Sequence, residues 1–171
     1  MIVADATVLI ALAKIQRFAI LRRLFDQVLV GPVVQDEVVE RGRAISAAGV
    51  EQVERGIEDG WIELARVSAG ERKLMDSILS KSRLDRGEAE CLALAKSRKL
   101  RLIVDDKEAR AHAEAMALEY IGTAAALLEA FMRHHLSIDE LEDTVGQLSK
   151  VTWLSPAVVT AILTRAREIE Q

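Results

Sequence analysis

Arg101-Leu102-Ile103-Val104-Asp105-Asp106 is a short aliphatic run closed by two carboxylates, and Met1-Ile2-Val3-Ala4-Asp5 has the same form at the start of the chain. Each run is too short for a helix and lacks the polar positions of a half-exposed strand. Each therefore reads as a strand buried on both faces. Val28-Leu29-Val30, closed by Gly31-Pro32, is a third such run. Trp61-Ile62-Glu63-Leu64 alternates, and Tyr120-Ile121 has room for one last strand. Between these runs the apolar residues fall at helical spacing. Residues 7–25 read as one or two helices, interrupted around Gln16-Arg17. Pro32 suits the first turn of a helix over 32–41, with Gly42 as its stop. Helices follow over 50–57, from Ser68 to 81, over 89–98, over 107–118 and from Gly122-Thr123 to 133. Ser68…Glu71 and Asp85…Glu88 have the spacing of capping boxes.

Strands alternating with helices predict an α/β fold: a parallel sheet with right-handed crossovers and helices on both faces. Ser137 and Ser155-Pro156 open two further helices. Residues 136–171 show helical patterns only and read as a C-terminal extension of a sheet domain over 1–135, packed on that domain or on a partner. Leu141, Val145 and Leu148 form one stripe there; Val158, Ile162 and Leu163 suggest another.

The 171 residues suffice for one domain with a proper core. Half are apolar and only 4% aromatic, so that core must be built from Val, Ile, Leu and Ala. The single cysteine, Cys91, excludes an intramolecular disulfide. No cationic leader opens the chain and no apolar stretch approaches a membrane span, which together point to the cytoplasm. A net charge of −4 argues against binding nucleic acid through bulk charge alone. It is compatible with a metal nuclease, whose carboxylates belong to the site and whose docking falls to a local basic patch.

In a parallel sheet all strand C-termini lie along one edge, where open α/β folds place their sites. Asp5, Asp105 and Asp106 would share that edge, although Asp is also a common turn or N-cap residue. Val33, Val34 and Val38 define the buried arc of their helix, and Glu37 projects inside it, either as a site carboxylate or at the arc's margin. Glu88 stacks one turn before Leu92, near Cys91 and Ala95, and also fits a capping box to Asp85. Glu90 points out on the same wheel, with Ser97. Carboxylates so gathered repel one another unless a cation or shared protons balance them. Oxygen-only donors favour Mg²⁺ or Mn²⁺, ions suited to phosphodiester hydrolysis. The three histidines lack ligand spacing, and there is no Gly-rich phosphate loop. A phosphoacceptor receiver fold would need more strands after Asp106 than the chain has left.

Several motifs in order resemble those of the PIN-domain family. They are Asp5-Ala6-Thr7 after the opening strand, Glu37 within Val33-Val34-Gln35-Asp36-Glu37-Val38, Gly87-Glu88-Ala89-Glu90, and Asp105-Asp106 with Arg110. Ile121-Gly122-Thr123 followed by Leu127-Leu128 is similar to one bacterial and archaeal subgroup carrying Gly-Glu-Ala-Glu and Asp-Asp-x-x-x-Arg patterns. The resemblance covers residues 1–131. It implies a Rossmann-like sheet, Mg²⁺ or Mn²⁺ dependence and RNA cleavage. It also implies a homodimer and, as in VapC-type toxins, a small antitoxin partner; the alternative is a PIN fold that binds RNA or protein without cutting. Carried onto this chain, Asp5, Glu37, Glu88 and Asp106 hold the metal, with Asp105 an alternative or additional ligand and Thr7 hydrogen-bonded among them. Many family members have Asp where Glu88 stands. Arg110, one turn after Asp106, either pairs with a carboxylate and competes with the metal or pairs on the surface. Lys96, Arg98, Lys99 and Arg101, just before the last acidic strand, read either as a solvated helix end or as RNA-docking cations, with Arg83 and Arg86 as further candidates.

Overall fold

The short aliphatic runs form five strands: β1 (Ile2–Ala4), β2 (Val28–Val30), β3 (Ile62–Leu64), β4 (Arg101–Ile103) and β5 (Tyr120–Ile121). The computed structural model describes residues 1–44 and 49–170. Every pairing is parallel, in the order β3-β2-β1-β4-β5. β1 is central, with Val3 level with Leu29 on one side and Leu102 on the other. β1, β2 and the Leu102-Ile103 pair of β4 are buried, which is why these runs are continuously aliphatic. The chain leaves β1 toward β2 and β3, then returns to add β4 on the opposite flank. The carboxyl ends of β1 and β4 therefore form a topological switch point, where an open α/β sheet leaves a crevice.

Two helices follow β1: α1 (Ala6–Lys14) and α2 (Ala19–Phe25). They are separated at Gln16, whose φ of 56° no helix continues. α3 (Pro32–Gln35) runs into a π-helical turn (Asp36–Glu40) and α4 (Arg41–Ala44). The sequence predicts one regular helix stopped by Gly42; the backbone instead widens for one turn and passes through Gly42. α5 (Val50–Glu58) leads to β3. α6 (Ala69–Leu79) and α7 (Arg86–Arg98) join β3 to β4, and α8 (Lys107–Ala115) joins β4 to β5. Both anticipated capping boxes form, at Ser68/Glu71 and Asp85/Glu88.

α9 (Thr123–Met132), α10 (Ile138–Val151) and α11 (Pro156–Glu170) complete the chain. α10 packs on α1 and α9 through Leu141, Val145 and Leu148, all fully buried. On α11 the inward positions are Ile162 and Ala166, while Val158 is exposed, so only part of the expected stripe is buried. Among the described residues no helix is long and apolar enough to cross a membrane.

α7 lies against β1 and β4 with α6 and α8 on its flanks and α3 at its start. Residues 89–95 are therefore all buried, and the helix has no solvent face there. This overturns the outward placement of Glu90, which is 2% exposed.

Candidate metal and nuclease site

Asp5 follows β1 directly and caps α1. Its Oδ2 accepts from the Thr7 N–H at 3.2 Å, and the Thr7 hydroxyl is bonded to the same carboxyl. Asp5 is 3% exposed. Burial pushes its carboxyl from an ordinary 3.8 up to about 6, against the opposing pull of the bonds from Thr7 and Ala6.

α7 brings the next carboxylate. The Cys91 thiol donates to the Ala4 carbonyl at 3.5 Å, which pins α7 over the end of β1. Glu88 stands about one turn earlier on the same helix, toward Asp5. Burial is the main cause that lifts Glu88 to about 7, and the negative charges of Asp85, Asp106 and Asp5 lift it further. Those charges come from Asp85 at the start of the same helix and from Asp5 and Asp106, which follow the neighbouring strands β1 and β4. Glu88 Oε2 accepts from the Asp85 N–H at 2.9 Å, and Asp85 Oδ1 from the Glu88 N–H at 2.8 Å. The capping-box reading of Glu88 is met by these bonds, on the turn of α7 that lies toward Asp5.

Asp105 and Asp106 separate into two roles. Asp105 Oδ1 accepts from the Thr123 N–H at 2.8 Å and its Oδ2 from the Thr123 hydroxyl at 2.5 Å. Thr123 is fully buried, so Asp105 is a brace between the end of β4 and the start of α9. Asp106 caps α8 through one bond from Ala109 N–H at 2.8 Å, and it is exposed beside Glu88.

Glu37 sits on the π turn, half-buried. A Cβ built on Gly87 would come within 3.0 Å of Glu37 Oε2, so the carboxylate lies close against the first turn of α7. A cleft of about 470 Å³ opens here, lined by Pro32, Val33, Asp36, Glu37, Asp85 and Arg86. The structure thus brings Asp5, Glu88 and Asp106 together with Asp85, and sets Glu37 at the rim beside Asp85. Sequence patterns had assigned Asp85 only a capping role. Its signal was present in the Asp85-Arg86-Gly87-Glu88 box, because a helix N-terminus facing a strand C-terminus carries its cap into the shared crevice.

The donor set is all oxygen and over-rich in negative charge, which suits a hard divalent cation. Among the described residues no three His, Cys, Asp or Glu side chains already stand at metal-holding distance. Asp5, Glu88 and Asp106 are each turned to a backbone N–H at a helix start.

Arg110 forms no ion pair among the described residues, and its charge acts on the Tyr120 hydroxyl. It therefore ties up none of the site carboxylates. The expected docking cations lie elsewhere. α7 starts at the carboxylate edge and runs away from it, so Lys96, Arg98, Lys99 and Arg101 stand at the opposite edge, roughly 20 Å off at 1.5 Å per residue. Three of them are engaged there. Lys96 Nζ donates to the Met116 carbonyl at 2.6 Å, Arg98 pairs with Glu71 at 2.8 Å, and Arg101 with Glu129 at 3.7 Å. Arg83, Arg86, Lys107 and Arg110 belong instead to the starts of α7 and α8. The Arg83 N–H donates to Glu108 Oε1 at 2.8 Å, tying those two helix starts together.

No curated protein and no solved structure is matched by this sequence. A family model does match, that of DUF3368, described as a PIN domain, over residues 1–168. The match exceeds the 1–131 over which the motifs run and takes in α10 and nearly all of α11. PIN domains are generally nucleases that use divalent metals. With its parallel sheet, its switch point and the carboxylates gathered there, the chain belongs to the PIN-domain family.

Proposed function

We propose that the chain is a Mg²⁺- or Mn²⁺-dependent endoribonuclease that hydrolyses RNA phosphodiester bonds. The observation that carries this is geometric: Asp5 and Asp106 follow the paired parallel strands β1 and β4, and α7, bonded through Cys91 to the end of β1, carries Glu88 on its first turn toward them. Asp5, Glu88 and Asp106 would hold the ion, with Glu37 completing the set from the π turn. When bound, such an ion supplies charge to offset the negative build-up on a phosphate under attack and an acidified water as nucleophile. The chain's own part is to hold the oxygens. Thr7 orients Asp5, the Asp85 box orients Glu88, and Asp105, braced on Thr123, fixes the turn that presents Asp106.

RNA reaches this edge past Arg83, Arg86, Lys107 and Arg110, whose location favours them over the cations at the far end of α7. By analogy with VapC-type toxins, the enzyme would work as a homodimer held in check by a small antitoxin. A non-catalytic PIN fold that binds RNA or protein is the competing outcome.

The test is cleavage of structured and unstructured RNAs by the purified chain, with Mn²⁺ or with a chelator. Cleavage that needs the ion and is lost in Asp106→Asn supports the assignment. RNA binding without cleavage under any ion would favour the non-catalytic alternative.

A further inference from the structure

α7 carries a second buried carboxylate that the proposed chemistry does not use. Glu90 Oε2 accepts from the Val33 N–H at 3.0 Å and the Val34 N–H at 3.3 Å. These are two of the donors left unpaired at the start of a helix, and they need an acceptor from outside it. The N-cap of α3 is Gly31, which has no side chain to offer. Glu90 thus caps α3 from another helix. Gly31 makes the room: a Cβ there would lie 2.0 Å from Glu90 Oε2. Its φ of −78° suits any residue, so it is the missing side chain, not backbone freedom, that this position requires.

The capped segment leads straight to Glu37. α3 is only four residues long and passes directly into the π turn. With the π turn and α4 it makes one helical run over residues 32–44, a length at which a helix is only marginally stable without outside support. α7 meets this segment at both ends. Glu90 grips its start through Val33 and Val34, and Gly87, about one turn earlier on α7, receives the Glu37 carboxylate. Glu88 lies between those two points on the same helix.

We infer that Glu90 is a positioning residue: its grip on α3 sets the Glu37 carboxylate against the first turn of α7, in register with Glu88. Its significance for catalysis rests on the proposed metal site, but the placement of Glu37 does not.

The experiment uses the full chain with Glu90→Ala, Glu90→Gln and Gly31→Ala. Glu71→Gln is the control, since Glu71 is a comparably buried capping carboxylate remote from the site. The first readout is the side-chain carboxyl ¹³C resonance of Glu37 in metal-free protein, identified by its loss in Glu37→Gln. It should move in Glu90→Ala and Gly31→Ala, move less in Glu90→Gln, whose carbonyl still accepts, and stay in place in Glu71→Gln. The second readout is Mn²⁺ affinity by calorimetry. It should weaken about tenfold or more in Glu90→Ala, the usual cost of losing a group that orients a ligand, and hold in Glu71→Gln although both variants melt earlier. A Glu37 resonance unmoved in Glu90→Ala and Gly31→Ala, both folded and with lowered melting temperatures, would reduce Glu90 to a helix cap and overturn the inference. A wild-type chain that binds no Mn²⁺ would sink the nuclease proposal, while the metal-free resonances would still decide the role of Glu90.

Discussion

Replacing Asp5 with Asn should make the metal-free protein more stable while removing the proposed metal-dependent cleavage. Asp5 is 3% exposed, and its carboxyl titrates at about 6 in place of 3.8. A carboxyl with a raised folded value keeps its proton in the folded state after losing it in the unfolded one. Stability is therefore greatest below about pH 4, falls as pH rises to about 6, and stays low above that. At about 1.36 kcal/mol per pH unit the ionised carboxylate costs the fold about 3 kcal/mol at pH 8. Asn keeps the shape and the capping acceptor but carries no charge. Burying its amide N–H groups offsets part of the gain, leaving about 1–2 kcal/mol. For a chain of this length that is a rise in melting temperature of roughly 3–8 °C. The assay is calorimetric melting in chelator from pH 4 to pH 8, wild type against variant. The gap should be small at pH 4 and widen to its full value by pH 7. Mn²⁺ should raise the melting point of the wild type at pH 8 and leave the variant nearly unchanged. A variant less stable than wild type at pH 8, or a gap independent of pH, would show that the Asp5 carboxylate is comfortable where it stands.

Glu71 should behave in the opposite sense. Its bond from Arg98 holds it down to about 2, so its contribution is full above about pH 4.5 and lost as pH falls toward 2. Glu71→Gln should cost about 1–3 kcal/mol at pH 7 and almost nothing near pH 2, by acid-dependent melting. The two adjacent aspartates should separate by assay. Asp105→Ala breaks both bonds to Thr123 and lowers the melting temperature, whereas Asp106→Ala loses one exposed cap, about 1 kcal/mol, and most of the Mn²⁺ affinity. Reversing the charge of Arg83 and Arg86 should weaken RNA binding by an inactive Asp106→Asn chain and reduce its salt slope by about 0.7 per lost phosphate contact. The same change at Lys96 and Lys99 should leave binding and slope as they were.

The sheet was legible because a strand buried on both faces admits little but aliphatic residues, and each such run here ends abruptly in a polar residue or Gly-Pro. The shared edge of Asp5 and Asp106 followed from parallel topology alone. Periodicity served less well where its assumption of 100° per residue failed. The π turn at Asp36–Glu40 lets Glu37 lie half-buried at the margin of the arc, and nothing in Val33-Val34-Gln35-Asp36-Glu37-Val38 marks that turn. Glu90 was misplaced for another reason. A helix wheel assumes one solvent face, and α7, enclosed by β1, β4, α3, α6 and α8, has none through its middle. The displaced docking cations reflect topology overlooked: residues just before a parallel strand sit at the edge opposite those just after it. Lys99 precedes β4 and Arg101 opens it, whereas Asp106 follows it.

The most direct measurement is Mn²⁺ binding by calorimetry at pH 8, wild type against a folded Asp5→Asn/Asp106→Asn variant. The expected result is one ion bound by the wild type and none by the variant. Binding retained by the variant would place the ion elsewhere, and binding absent from both proteins would leave the carboxylates as helix caps and contradict the proposed chemistry.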